Sequence, residues 1–404
     1  MIKDRRELGQ SMIIMAVAIL ALIALAALII DGGSIYLNRR RAQTAADAAA
    51  LAGAHMMCVE KGSLGQIQAI ANQYAVTENG ATAVESADID ADGQVVVQTR
   101  VESPSFFASV LGYDTDMARA EAAAGCFKPS SAMNLLPVAW TCRPTVGGVP
   151  QPGCQIHSIP WAVFQDIEAA VPFGNAGTVV LDPGDELHAN TYYDGAPSGA
   201  KMAYLVMDKT VDTATDCAPP FGTGTIICDL NGDGTLDVTG NDNRGWLSLD
   251  GTGSSDLANL MLHGFADPIV VPQWFPGQPG AENSVFIKAH QIQGHLVLIP
   301  VFNAICPSAM ETQIPTACAA DYMAGDLIRS ASGSNDWYRV AGFAPFVVTC
   351  VSKGASEDCP AKTFAQVKKS ISTIEGYFVS GYVGGTEICP NCFDLGVYII
   401  SLTR

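Results

Sequence analysis

The sharpest chemical signal in the sequence is the run Asp229-Leu230-Asn231-Gly232-Asp233-Gly234-Thr235-Leu236-Asp237. Oxygen-bearing side chains fall at loop positions 1, 3, 5 and 9 (Asp229, Asn231, Asp233 and Asp237). Gly234 stands at position 6, where the chain must turn sharply, and Thr235 offers its carbonyl at position 7. Alternate oxygens of this kind converge on one hard cation, so the pattern points to Ca2+ held in a structural role, pinning a long loop. It departs from the full calcium-loop pattern at position 12, where Gly240 replaces the bidentate acid and Asn241 and Asp242 follow. The alternative is a plain Asp/Asn/Gly-rich turn. A shorter run, Asp88-Ile89-Asp90-Ala91-Asp92-Gly93, has Val96 where the ninth ligand would stand and is read as a hairpin turn.

Twelve cysteines are the second source of chemistry: Cys58, Cys126, Cys142, Cys154, Cys217, Cys228, Cys306, Cys318, Cys350, Cys359, Cys389 and Cys392. Several are near neighbours (142/154, 217/228, 306/318, 350/359), and Cys58 and Cys126 bracket a module whose ends they could staple. Zinc competes with disulfides as a reading. The one CxxC, Cys389-Pro390-Asn391-Cys392, has no second CxxC and no nearby pair of histidines to complete a metal site. A redox CxxC would want a helix N-terminus after it, whereas residues 393–400 read as strand. Structural disulfides are the expectation, and they imply an oxidising compartment.

Enzyme signals are weak. The histidines His55, His157, His188, His263, His290 and His295 form no HExxH, and no GxSxG elbow, Walker loop or dinucleotide fingerprint occurs. His290 and His295 flank a turn and read as surface or core residues. The expectation is a protein that is not an enzyme.

The elements that position these groups begin with residues 11–30, twenty residues without a charge. At the helical rise they span about 30 Å, the thickness of a bilayer's hydrocarbon. A cleaved signal peptide would have a shorter apolar region ending at a small-x-small site. Here the run leads into Asp31-Gly32-Gly33-Ser34-Ile35-Tyr36 and then an Ala-rich stretch over 37–57, so one long retained helix is expected, loosened at Gly32-Gly33. Three basic residues flank each side of the run, so charge leaves the orientation open. The cysteines decide it: residues 1–10 are expected in the cytoplasm and everything from residue 31 outside.

Ala42, Ala46, Ala49 and Gly53 form a small-residue stripe that suits close packing, either on the protein's own sheet or on a partner helix. A second helix is expected over 66–76, a strand over 94–101, a short helix over 105–111 and a further strand or helix over 117–126; an α-α-β-α-β module ending near residue 127 fits these. From residue 128 the texture turns rich in Pro, Gly, Thr and Asn. Strands are expected at 178–181, 202–207, 268–271, 284–288, 295–302, 338–348 and 397–400, with Pro300 and Pro345 marking edges or breaks. The fold class is therefore α+β: a long N-terminal transmembrane helix with a small α/β module, then a β-dominated, disulfide-bonded extracytoplasmic body. The divisions are 1–10, 11–30, 31–127 and 128–404, more than one core for a chain of 404 residues.

The net charge of −18 is uneven: residues 1–41 carry +3 and the rest −21. A body so acidic repels nucleic acid and anionic lipid.

Residues 8–54 resemble the N-terminal segment of the TadG-like (TadE/TadG) proteins of tight-adherence, Flp-type pilus assembly. The likeness lies in Gly9-Gln10 before the apolar run, the Asp31 to Tyr36 sequence after it, and the stretch from Arg39 through Gln43, Asp47 and Leu51 to Gly53. It implies a bacterial, membrane-anchored envelope protein that assists assembly or stabilisation of an adhesive pilus, with pilus or secretion-apparatus proteins as partners. Some relatives carry a von Willebrand A domain with a DxSxS metal site; no such motif occurs here, so integrin-like adhesion is not implied. A processed pilin would want Glu at the fifth residue after Gly9, where this chain has Ile14. The reading from a different class is an anchored extracellular binding module or enzyme, with Trp140, Trp161, Trp246, Trp274 and Trp337 available for a sugar platform.

Overall fold

The computed structural model of the chain describes residues 5–141, 145–146, 149–150, 156–170, 179–181, 190–194, 200–206, 246–249, 254–277, 283–306, 337–353, 362–364, 372–384 and 387–403. The chain forms two compact units, Met1–Cys126 together with Ile400–Arg404, and Phe127–Ile399.

In the first unit, helix α1 runs unbroken from Arg5 to Cys58. Gly32 and Gly33 do not interrupt it; neither has a neighbour within 4 Å of an added Cβ, so the backbone there is open rather than bent around another element. Helix α2 spans Leu64–Asn72 and starts at Ser63, whose main-chain N–H donates to Gln66 Oε1 at 2.9 Å. It continues into a π turn, Gln73–Glu78. The buried residues are Ile67, Ala71 and Ala75, each four apart, a stride wider than the 3.6-residue period. The widened turn therefore buries Ala75 and leaves Tyr74, placed on the buried face by the regular period, 41% exposed.

Three antiparallel strands follow: β1 (Ala83–Ile89), β2 (Val95–Pro104) and β3 (Thr115–Phe127), with β2 in the middle. The order is thus α-α-β-β-β, with a strand over Ala83–Ile89 that the sequence reading lacked and only a single 3-10 turn, Ala108–Leu111, between β2 and β3. The run from Asp88 to Gly93 makes the hairpin turn. Asp90 Oδ1 accepts from the N–H groups of Asp92 (3.0 Å) and Gln94 (2.9 Å), and Gly93 takes φ +75°. The last residues of the chain rejoin this unit, Thr403 N–H donating to the Ala123 carbonyl at 2.8 Å.

The second unit is built on a sheet whose centre is Trp337–Lys353, flanked by Leu296–Cys306 and Ser372–Phe378. Lys201–Val206 and Asn190–Asp194 continue the sheet beyond Ser372–Phe378, and Trp140–Thr141 pairs parallel to Leu296–Cys306. Pro300 and Pro345 sit in these interior strands rather than on an edge strand, each where pairing on one side is interrupted. Leu298 accepts from Leu136 N–H on the outer side of its strand. Pro300, two residues on, faces the same way, in the gap between the Leu135–Leu298 and Trp140–Val301 pairings. Pro345 still accepts through its carbonyl from Val379 N–H at 3.1 Å, where pairing with Ser372–Phe378 runs out. Neither ring displaces a ladder hydrogen bond that the neighbouring strand needs.

Residues 284–288, read as a strand, lie in a helix, Asn283–Gln291. Its buried residues Val285, Phe286 and Ala289, with Ile292 just past its end, follow the 3–4 stride of a helix rather than alternation. Further helices cover Trp161–Ala170 and Ser254–His263. Trp140 and Trp246 are fully buried, Trp140 with its ring 5.0 Å from Tyr192 and 4.9 Å from Phe378. Two of the five tryptophans proposed for a sugar platform are therefore core residues. Burial pushes the hydroxyl of Tyr192 above its ordinary range, as it does that of Tyr398, whose O–H donates to Asp394 at 2.8 Å. Burial, with the nearby charge of Glu375, pushes Tyr377 up to about 12.

Candidate functional site

The stretch with the densest functional signal is the part of α1 that follows the apolar run, and the sheet that receives it. Ala42, Ala45, Ala46, Ala49, Ala50 and Ala54 are all fully buried. Their 3–4 spacing turns one stripe of α1 toward the sheet, whose inward residues are Val95, Val97, Thr99 and Val101 on β2. Small side chains let the backbones approach. Thr99, itself fully buried, donates from Oγ1 to the Ala42 carbonyl at 2.8 Å, a hydrogen bond that a larger residue on the helix would hold apart. Of the two readings of the stripe, the structure takes packing on the protein's own sheet; Ala46 offers nothing to a partner helix.

Three further ties fix the helix to its module. Cys58 and Cys126 form a disulfide between the end of α1 and the end of β3, as their bracketing positions suggested. Asn38 Nδ2 donates to Ser103 Oγ. The third is Asp31, the first charged residue past the apolar run. Its Oδ1 accepts from Phe106 N–H at 3.2 Å, and its Oδ2 from Phe107 at 3.1 Å and Ala108 at 2.8 Å. These are the N–H groups that open the turn Ala108–Leu111, which lack partners within the turn and carry its positive dipole end. Asp31 thus caps a turn 75 residues away, and nothing in the sequence marks that turn as its partner. The opposite face of the sheet is polar: Glu85 bridges Arg119 at 2.9 Å, and Arg100 pairs with Glu102 at 2.8 Å.

From Met12 to Ile30, the helix has almost no protein around it. Its most apolar 18-residue window has a mean hydropathy of 3.3 and none of it is buried. Among the described residues this is the one helix that is long and apolar enough to cross a membrane. Beyond Asp31, Arg39, Arg40 and Arg41 are exposed.

The candidate calcium ligands Asp229, Asn231, Asp233, Thr235 and Asp237 lie outside the described residues, as do His188, Cys142, Cys154, Cys217, Cys228, Cys318 and Cys359. Among the described residues, no group of three or more His, Cys, Asp or Glu side chains is placed to hold a metal ion. Cys389 and Cys392 are bonded to each other, so the CxxC holds no free thiolates for zinc, and irregular chain leading into the strand Val397–Leu402 follows it rather than a helix. Cys306 and Cys350 are disulfide-bonded as well. His263, His290 and His295 are exposed, and His157 packs edge-on against Tyr192 with ring centroids 4.8 Å apart.

No curated protein and no solved structure matches the chain. The anchor helix and its small-residue stripe, residues 9–56, match the model of the putative Flp pilus-assembly TadE/G-like family, so the N-terminal segment of this chain is TadE/G-like.

Proposed function

We propose that this protein is a membrane-anchored envelope protein that assists assembly or stabilisation of a Flp/Tad-type adhesive pilus, and is not an enzyme. The observation that carries the reading is the coincidence of the TadE/G-like match over residues 9–56 with a helix whose apolar half is bare of protein. A long run of exposed Leu, Ile, Met and Val side chains is costly in water, at about 25 cal/mol for each Å². It calls for bilayer or for other membrane helices. The N-terminus is cytoplasmic and the body extracytoplasmic; the disulfides Cys58–Cys126 and Cys389–Cys392 support this, because such bonds persist in oxidising compartments. The partners are pilus or secretion-apparatus proteins meeting the exposed face of the apolar helix. The loop 229–237 binds structural Ca2+ within the body.

Photo-crosslinking in living cells from a probe at Leu20, which is 66% exposed on the apolar half, tests the reading. Adducts with pilus subunits or platform proteins are expected. Adducts confined to lipid and to this chain would overturn the assembly role while leaving the anchor in place.

A further inference from the structure

We infer that the loop 105–113 is a second membrane contact, with Phe106, Phe107 and Tyr113 lying in the interfacial layer of the bilayer that α1 enters. The inference rests on the anchor reading above and adds the lipid surface as the loop's partner. Three observations carry it.

The first is depth. The twenty-residue apolar run ends at Ile30, and Asp31 is the next residue. A helix that spans the hydrocarbon with that run places Asp31 at its boundary with the headgroups. The carboxylate holds the main-chain N–H groups of Phe106, Phe107 and Ala108 within 3.2 Å, so this part of the loop shares the depth of Asp31.

The second is side-chain type. Phe106 is 71% exposed, Tyr113 69% and Phe107 36%, three large rings on one short loop without a core to enter. Aromatic rings at headgroup level are the common anchors of membrane proteins, because the ring is apolar and the phenol hydroxyl of a tyrosine stays wet.

The third is polarity along the sheet. β2 runs between two loops that lie at its opposite ends. The loop at its start carries Asp90 and Asp92, and the loop at its end carries the rings. The unit therefore has an acidic end and an aromatic end, and the aromatic end is the one tied to the last residues of the apolar run. The charge of Asp31 is not an obstacle at this depth: with its oxygens satisfied by three N–H donors it loses little when water thins around it.

The test uses the full chain reconstituted in phosphatidylcholine–phosphatidylglycerol vesicles. The parent's five tryptophans, Trp140, Trp161, Trp246, Trp274 and Trp337, all belong to the second unit and give a baseline to subtract. Phe106→Trp adds one emitter at an exposed position where the larger ring fits. Leu22→Trp adds one within the apolar run. Replacing the lipid with one brominated near the top of the acyl chain is expected to quench most of the emission added by Phe106→Trp, and deep bromination that added by Leu22→Trp. Quenching of Leu22→Trp without quenching of Phe106→Trp would overturn the loop contact and leave the anchor standing. Loss of quenching in both would overturn the anchor and the loop contact together.

Discussion

A β-carbon added to Gly53 would stand 2.8 Å from Val95 Cγ1 and 3.4 Å from Ile67 Cγ2, so α1 meets β2 and α2 here with no room for a side chain. Two effects oppose each other in Gly53→Ala. Alanine favours the helix by about 1 kcal/mol, and the crowding of Val95, whose branched side chain has few rotamers, costs about 1–3 kcal/mol. We expect a net loss of about 1 kcal/mol for Gly53→Ala and failure of the unit to fold for Gly53→Leu. Thermal unfolding of the detergent-solubilised chain reads both. A stabilised Gly53→Leu would show that the stripe is not close-packed.

The Cys58–Cys126 disulfide closes a sequence separation of 68 residues that takes in α2, β1, β2 and nearly all of β3. Loop-closure entropy for a ring of that size gives about 4 kcal/mol as the upper stabilisation. Cys58→Ser with Cys126→Ser should therefore speed amide exchange throughout β2, which is paired on both sides, with β1 and with β3. Unchanged protection in β2 would mean that packing of the alanine stripe alone holds the unit.

Alkaline pH should unfold the second unit. Tyr377 is pushed up to about 12 from an ordinary value near 10, and Tyr192 and Tyr398 are raised in the same direction by burial. The native state thus keeps these protons where the unfolded chain would release them. Their contribution to stability is complete below about pH 10 and is lost as pH climbs from 10 toward 12. Tyr377→Phe should flatten the fall in denaturation midpoint across that window. A variant with the parent's slope would mean that Tyr377 titrates alike in both states.

For the loop 229–237, Asp233→Ala should lower the melting temperature in calcium buffer and leave it unchanged after chelation, because the residue would be the third of the alternating ligands. Equal loss in both buffers would sink the calcium proposal.

How much of this was legible in the sequence varied with the range of the interactions. The anchor helix, the hairpin at Asp90 and Gly93, and the Cys58–Cys126 pairing rest on local pattern or on module ends, and the residues themselves announce them. The helix Asn283–Gln291 was misread as a strand, although Val285, Phe286, Ala289 and Ile292 keep a helical stride. Five residues were too short a window to separate that stride from a strand of Ser, Val, Phe and Ile. The interior places of Pro300 and Pro345 were not legible, since they depend on which neighbouring strand stops short. The same holds for Asp31, whose donors come 75 or more residues later. For the alanine stripe, spacing gave the face and its need for a close neighbour. Only the fold of β2 says that the neighbour is Val95, Val97 and Thr99 of the same chain.

The return of Ile400–Arg404 to the first unit sets an order on biosynthesis. The anchor helix and its three strands leave the ribosome first, yet the carbonyl of Ala123 waits for the N–H of Thr403 until the whole second unit has been made. Of the two units, the one made first is thus the one completed later. A nascent chain stalled anywhere in the second unit presents an open β3 edge, available to any chaperone or partner able to lend it a strand.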